Sequence, residues 1–362
     1  LYLNVSTETF IVGKAIAFTV RIKTFSGSFF EIGRQQGKIY SGNGMSFKNV
    51  KINPKLLKNQ LKVYEKFYPE LLEEFEGVAE GGNFDKDRLV YSFLCGEILW
   101  FAKKFNLKKA CTIFGVKNKN GVFVGRNYDW LPVTEKIFAA YRFVNPERNS
   151  FIAMTDMGVG SEAGAKPKYV FYNADDAIND KGLFIGLNFA HNNEWSYGLS
   201  CIHMTKLIAE TCSAVEEAIK IFEKVPLCCP KNFFIADKNG NMAVIEHTSK
   251  KFKVLYPKNG VLIKTNHYVD PELAQEDVVL DENPAHNTFL RYYETLQKVN
   301  RRKGKFKLPD VIGILGDAKS CVCQNSPKVK TIWSLALDMK NERYKLYWDL
   351  LGKRKEQVLR TK

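Results

Sequence analysis

Residues 109–130 read KACTIFGVKNKNGVFVGRNYDW. Two apolar runs, Ile113–Phe114 and Val122–Val124, flank a polar turn at Asn118–Gly121. A strand, a tight turn and a returning strand explain this pattern, since hairpin turns favour Asn and Gly. Cys111 then heads the first strand, and the second brings Arg126 and Asp129 back toward it. A guanidinium near a thiol favours the thiolate, the nucleophilic form. A carboxylate there can accept a hydrogen bond from a catalytic amine, or orient the arginine. Each residue also has a plainer reading: a small buried thiol, a structural Arg126–Asp129 salt bridge, and an Asn127 that only holds the turn.

Upstream of the hairpin the texture is mostly helical. Ile11–Thr24 reads as a strand, with Gly27 in a turn after it, and Glu31–Tyr40 as a short helix with Gly33 and Gly37 on one face. Pro54 opens a helical stretch, and Leu57, Leu61, Tyr64, Tyr68, Leu71, Phe75 and Val78 give it an apolar face. Pro69 kinks or divides that stretch, and Gly81–Gly82 close it. A further helix is expected from Asp87 to about Phe105.

Downstream, short strands are expected at Phe138–Val144, Phe151–Met154, Tyr169–Tyr172 and Leu183–Phe189. One long amphipathic helix follows, carrying Leu207, Ile208, Thr211, Val215, Ala218, Ile219 and Phe222. Strands return at Phe233–Asp237, Ala243–His247, Phe252–Tyr256 and Val261–Thr265, with turns at Asn239–Gly240 and Asn259–Gly260. Helices are expected over His286–Val299 and Leu308–Leu315, then a hairpin of Thr331–Asp338 and Arg343–Trp348. Grouped strands between long helices predict packed antiparallel sheets with covering helices.

Composition bounds the function. The 362 residues carry 54 Lys plus Arg against 39 Asp plus Glu, a net charge of +15. Such a surface attracts anions: nucleic acid, anionic lipid or an acidic substrate. The basic runs at Arg301–Lys307 and Lys353–Lys362 read as a solvated loop and a frayed tail, and no nucleic-acid-binding motif accompanies them. No stretch reaches the roughly 18 apolar residues of a bilayer span. Asn4-Val5-Ser6 is a lone glycosylation triplet. The eight cysteines have irregular spacing; Cys228–Cys229 and Cys321–Cys323 are the pairs that could hold a metal, but no repeated CxxC supports one. Free thiols in a reducing, cytoplasmic setting are expected, with no cofactor and no metal.

Asn188 and Asn266 sit at or near the ends of apolar runs. Each is either an oxyanion donor or a cap on a strand end. The five histidines, at 191, 203, 247, 267 and 286, are expected in structural or supporting roles.

Together these segments resemble the N-terminal-nucleophile (Ntn) hydrolases of the choloylglycine hydrolase and penicillin acyltransferase group. The resemblance rests on Lys109–Phe114, Gly125–Trp130, Asn179–Asn188, Thr265–Tyr268, Asn287–Tyr293, the strands after Thr331, and the early Ser28–Gly37. It implies an α+β fold, a four-layer α/β/β/α sandwich with two antiparallel sheets. It implies that the chain cuts itself between Ala110 and Cys111, making residues 1–110 a helical pro-region retained beside 111–362. Cys111 is then the nucleophile and its α-amine the base. Arg126 and Asp129 order the thiol and amine. The Asn188 backbone N–H and the Asn266 side chain form the oxyanion hole, and Arg291 supports the polar network. The expected partner is a small-molecule amide with an acidic or apolar acyl group. No nucleic acid is expected, and a homo-oligomer is compatible. Acyl transfer to an amine and an unprocessed binding protein are the alternative functions.

Overall fold

The computed structural model describes residues 22–102, 110–156, 171–190, 192, 194–278 and 288–361. The chain starts with strand β1 (Lys23–Ser26) and helices α1 (Phe29–Gly42), α2 (Pro54–Phe67), α3 (Pro69–Gly82) and α4 (Lys86–Ala102). Ser28 and Glu31 close a reciprocal capping box on α1, and Asn53 caps α2 ahead of Pro54. Pro69 divides the second apolar stretch into two helices. Gly33 and Gly37, on one face of α1, lie where that helix meets the α3 backbone. A Cβ on Gly33 would meet the Glu74 carbonyl oxygen at 1.9 Å, and one on Gly77 would meet that of Phe30 at 2.0 Å. α1 and α3 therefore touch backbone to backbone.

The hairpin of β2 (Thr112–Asn118) and β3 (Gly121–Trp130) pairs antiparallel from Thr112↔Asn127 to Asn118↔Gly121. β4 (Ala139–Val144), β5 (Phe151–Thr155), β6 (Asp176–Asn179) and β7 (Leu183–Phe189) precede α5 (Cys201–Thr211) and α6 (Val215–Lys224). β8 (Lys231–Asp237), β9 (Met242–His247), β10 (Phe252–Leu255) and β11 (Val261–Lys264) follow. The chain then forms α7 (Thr288–Asn300), α8 (Leu308–Leu315), β12 (Lys330–Asp338), β13 (Arg343–Trp348) and β14 (Lys355–Leu359).

The strands form two sheets: eight strands in the order β1-β4-β5-β6-β7-β8-β9-β10, and six in the order β11-β2-β3-β12-β13-β14. Every named pair is antiparallel except β1–β4, which is parallel. Three apolar clusters define the layers. One joins α1–α6 to the eight-stranded sheet, with Ile32, Leu71, Leu94, Phe143, Ile185 and Phe233. The second lies between the sheets, with Ile113, Val124, Ile178, Phe234, Trp333 and Leu335. The third joins α7 and α8 to the six-stranded sheet, with Phe114, Val116, Val299, Val311 and Leu315. This is the α+β, four-layer α/β/β/α sandwich of the Ntn hydrolases.

Four sequence expectations change. The long helix over Leu207–Phe222 is two helices. The chain leaves α5 at Cys212, whose carbonyl accepts the side-chain amides of Asn149 and Asn179, and Ser213 N–H bonds Glu217. Phe171 and Tyr172 are buried but irregular rather than strand; their backbone is held by Thr155 and the Tyr40 hydroxyl. The basic tail contains β14, which pairs antiparallel with β13 from Trp348↔Lys355 to Tyr344↔Leu359 and buries Leu359. β6 was not foreseen. Most of the expected strand Ile11–Thr24 lies outside the described residues, as do the Asn4 triplet, His191 and His286. The same holds for Lys109 and Asn287, at the starts of two quoted motifs, and for the end of the helix expected to reach Phe105.

Candidate active site

A strand alternates its side chains between faces, so residues three apart point to opposite sides. β3 sends Val122, Val124, Tyr128 and Trp130 into the core between the sheets. Arg126 shares their parity, and its partners Asp176, Leu187 and Asn188 lie on the facing eight-stranded sheet. Asn127 and Asp129 share the other parity. The Asn127 amide donates to the carbonyls of Leu315 and Val322, at the end of α8 and beyond it, and accepts from Ser334. No Arg126–Asp129 ion pair forms.

Arg126 is completely buried, and its donors can be counted. Nε donates to both Asp176 carboxylate oxygens, each at 3.1 Å. Nη1 donates to the Asn127 carbonyl at 3.0 Å and to Asn188 Oδ1 at 2.9 Å. Nη2 donates to the Leu187 carbonyl at 2.8 Å. A guanidinium has five N–H groups. Four are thus committed, and the Cys111 side chain is its further hydrogen-bond partner. Burial disfavours the charge on Arg126, but Asp176 and Cys111 reverse this and hold its pKa above the ordinary value.

Cys111 and Ala110 are both fully buried at the head of β2, and the Ala110 N–H donates to the Asp129 carbonyl at 3.4 Å. Arg291, at the start of α7, reaches the same point from the outer layer. Its Nη1 donates to the Cys111 carbonyl and, at 3.0 Å, to Thr112 Oγ1. Its Nη2 donates to Asn266 Oδ1 at 2.8 Å. Burial lowers the Arg291 pKa, against the nearby Asp129 and Cys111.

Hydrogen bonding is incomplete at Arg291, whose buried Nε has no partner among the described residues, and at Asp129. Oδ1 accepts from Thr331 at 2.6 Å, while Oδ2 is buried with no partner among the described residues. Burial pushes its carboxyl up to about 7, although Arg291, the Thr331 hydroxyl and Arg126 pull it down.

The two asparagines differ. The Asn188 side chain is fully used: Oδ1 accepts from Arg126, and Nδ2 donates to the Lys264 and Thr265 carbonyls at 3.0 and 3.1 Å. It fastens β7 to the end of β11, and its backbone faces Asn232 of β8. Asn266 Nδ2 donates to the Phe189 carbonyl at 2.9 Å. An amide nitrogen carries two hydrogens, and the second Asn266 N–H has no partner among the described residues.

The structure therefore brings Cys111, Arg126, Asn188, Asn266 and Arg291 into one hydrogen-bonded chain, with Asp129 beside it. Sequence reading missed Asp176, Trp333, Thr331 and Thr288. Trp333 Nε1 donates to Asp176 Oδ2 at 2.7 Å, and its ring stacks on Tyr128 at 3.7 Å. Thr288 Oγ1 accepts from the Asn266 N–H at 2.8 Å and meets His267 Nδ1 at 2.9 Å. His203 bonds Tyr64 at 2.7 Å in the helical layer, and burial depresses its pKa to about 3. His247 meets the Thr248 carbonyl and stacks on Phe252.

All eight cysteines are free. Glu97, Cys228 and Cys229 alone have ligand-like spacing among the described residues. The Lys231 ammonium already lies 2.8 Å from Glu97 and supplies the cation there.

The family model described as acyl-coenzyme A:6-aminopenicillanic acid acyl-transferase matches residues 116–351 of this chain. The chain belongs to that family. The match takes in Arg126, Asp129, Asn188, Asn266 and Arg291, and begins after Cys111. Members of this acyl-transferase family and its Ntn-hydrolase relatives act on amide C–N bonds. Solved structures similar to the chain include penicillin V acylase from Agrobacterium tumefaciens, at 17% identity over 67% of this chain and 84% of that one, TM-score 0.49. Another is the Caenorhabditis elegans ortholog of N-acylethanolamine-hydrolyzing acid amidase, at 15% identity over 69% and 100%, TM-score 0.48. A third is a variant of conjugated bile acid hydrolase from Clostridium perfringens, at 16% identity over 68% and 92%, TM-score 0.48. No curated protein matches the chain. No helix among the described residues is long and apolar enough to cross a membrane.

Proposed function

We propose that this chain is a self-processing cysteine amidohydrolase whose nucleophile is Cys111. The observation that carries the proposal is the setting of the Ala110–Cys111 junction. The thiol adjoins the Arg126 guanidinium, the Cys111 carbonyl is held by Arg291, and the nearby Asp129 has a buried oxygen without a partner. A buried carboxylate oxygen left bare costs stability, and a newly freed ammonium is the donor that would satisfy it.

Processing comes first. Cys111 Sγ attacks the Ala110 carbonyl carbon, the Ala110–Cys111 C–N bond breaks, and the acyl group moves from nitrogen to sulfur. Water hydrolyses the thioester, leaving the Ala110 carboxylate, the Cys111 thiol and its free amine. Catalysis follows. The amine takes the thiol proton, and Sγ attacks the carbonyl carbon of a linear amide. The second Asn266 Nδ2–H stabilises the oxyanion, and the Asn188 backbone N–H is the further donor that the resemblance implies. The C–N bond breaks, the leaving amine takes the proton, and water releases the acyl group from sulfur. Transfer to a second amine is the alternative ending, and the description of the matched family favours keeping it.

The cleaved pro-region stays bound. α1–α4 bury Ile32, Tyr64, Leu71, Val78, Leu89, Leu94 and Ile98. At ~1.5–3 kcal/mol per large apolar side chain, burial in the cluster these helices share with the eight-stranded sheet favours their staying together after the cut. Polar contacts cross the cut as well: Gln60 with Gly198 at 3.0 and 3.1 Å, Tyr68 with Glu210 at 2.6 Å, and Glu74 with Lys206 at 2.7 Å.

The test is amine release from a panel of N-acyl amides, followed by a search for an acylated peptide beginning at Cys111. Release together with that adduct is expected. Release with no acylation of Cys111 refutes the assignment.

A further inference from the structure

Among the polar partners of Arg126, two carbonyls and the Asn188 amide oxygen are neutral, and the Asp176 carboxylate is not. Both ends of this ion pair have fully buried side chains. Its attraction is weakly screened and strongly felt by neighbouring groups. Asp176 is itself pinned. Trp333 Nε1 donates to Oδ2 at 2.7 Å, the Trp333 ring stacks on Tyr128 with an interplanar angle of 7°, and the Arg126 guanidinium carbon lies 5.1 Å from the Tyr128 ring centre. Arg126, Tyr128, Trp333 and Asp176 therefore form a closed ring of contacts behind the thiol. β7 leaves room for it. Gly186 faces Asp176 across the β6–β7 ladder, and a Cβ there would lie 2.7 Å from Asp176 Oδ1. Gly186, the second of two glycines within Asn179–Asn188, thus has a physical purpose.

We infer that Asp176 is a positioning residue that fixes the pose of Arg126 and sets how much of its positive charge reaches Cys111. The inference rests on Cys111 being the nucleophile. Arg126 faces two groups able to carry negative charge, Asp176 and the Cys111 sulfur. The carboxylate partly neutralises the guanidinium, so the thiol sees an oriented but tempered cation. With a neutral residue at 176, the sulfur would face a stronger positive field from a less firmly held side chain.

The experiment compares alkylation of Cys111 by anionic iodoacetate and neutral iodoacetamide in Asp176→Asn and the parent enzyme. Adducts are read on the peptide that begins at Cys111, and kcat and KM are measured beside them. The iodoacetate-to-iodoacetamide rate ratio is expected to rise about tenfold in the variant, with kcat lowered and KM little changed. An unchanged ratio, with Cys111 still alkylated, overturns the role of Asp176 alone. A parent enzyme that turns over while Cys111 takes neither reagent overturns the nucleophile reading instead. Should Asp176→Asn not fold, Trp333→Phe tests the same claim. The indole N–H helps keep the buried Asp176 carboxylate charged, so its loss should raise the ratio, and a ratio that holds or falls counts against the inference.

Discussion

The eight-stranded sheet carries buried charge on both faces, and the two faces use it differently. On the helical face Lys206 lies between Glu74 and Glu210, and Lys231 lies against Glu97 between the rings of Phe101 and Phe189. Glu74 and Glu97 belong to the segment before Ala110, so these pairs fasten the early helices to the rest of the chain. On the inner face Arg126 binds Asp176, and its remaining capacity goes to Asn188, two carbonyls and a thiol. One set of charges meets its counter-ions and donors that complete them: Tyr68 donates to Glu210, Gln36 to Glu74, and Cys201 to Glu97. The other opens onto Cys111, Asn266 and a bare Asp129 oxygen. A buried ion pair is weak evidence of function on its own; what separates these two is what lies beyond the counter-ion.

Substitutions should divide along that line. The largest effect is expected from Cys111→Ala, which should abolish both processing and turnover, read by denaturing mass and by amine release. On the helical face, Lys206→Met strands two carboxylates and should cost about 3–5 kcal/mol of stability in denaturant unfolding, while folded, processed enzyme keeps a kcat close to the parent's. A large kcat loss there would erase the distinction between the faces. On the inner face, Asn266→Ala should fold normally yet lose about 10²–10³ in kcat, and an unchanged kcat/KM would remove it from the oxyanion role.

The smallest effect concerns pH. The Asp129 carboxyl titrates near 7 when buried in the uncut chain, against 3.8 ordinarily. The folded state then holds its proton more tightly than the unfolded state, so stability should fall as pH rises from about 4 to 7. In Cys111→Ala, which stays uncut, adding Asp129→Asn should remove that decline across the window. Equal slopes with and without Asp129 would show that its carboxyl is not held in this way.

Much of this arrangement was legible in the chain. The hairpin around Cys111, the division at Pro69 and the close approach at Gly33 follow from local rules about turns, proline and small side chains. The opposite orientations of Arg126 and Asp129 were also available, because a strand reading already excludes a salt bridge between residues three apart. Asp176 was not legible. Its importance depends on the register of β6 against Gly186 and on the spacing between two sheets, neither of which leaves a mark near residue 176. The break between α5 and α6 was hidden for a similar reason. Leu207–Phe222 keeps a helical period across Cys212, and the amides that capture the Cys212 carbonyl come from residues 149 and 179.

The central claim is that residue 111 gains its chemistry when its own nitrogen is released. Amino-terminal sequencing and denaturing mass of freshly purified, amide-cleaving protein test it most directly. Two co-purifying chains are expected, the larger beginning Cys-Thr-Ile. Full activity from a single chain uncut at Ala110 would contradict it.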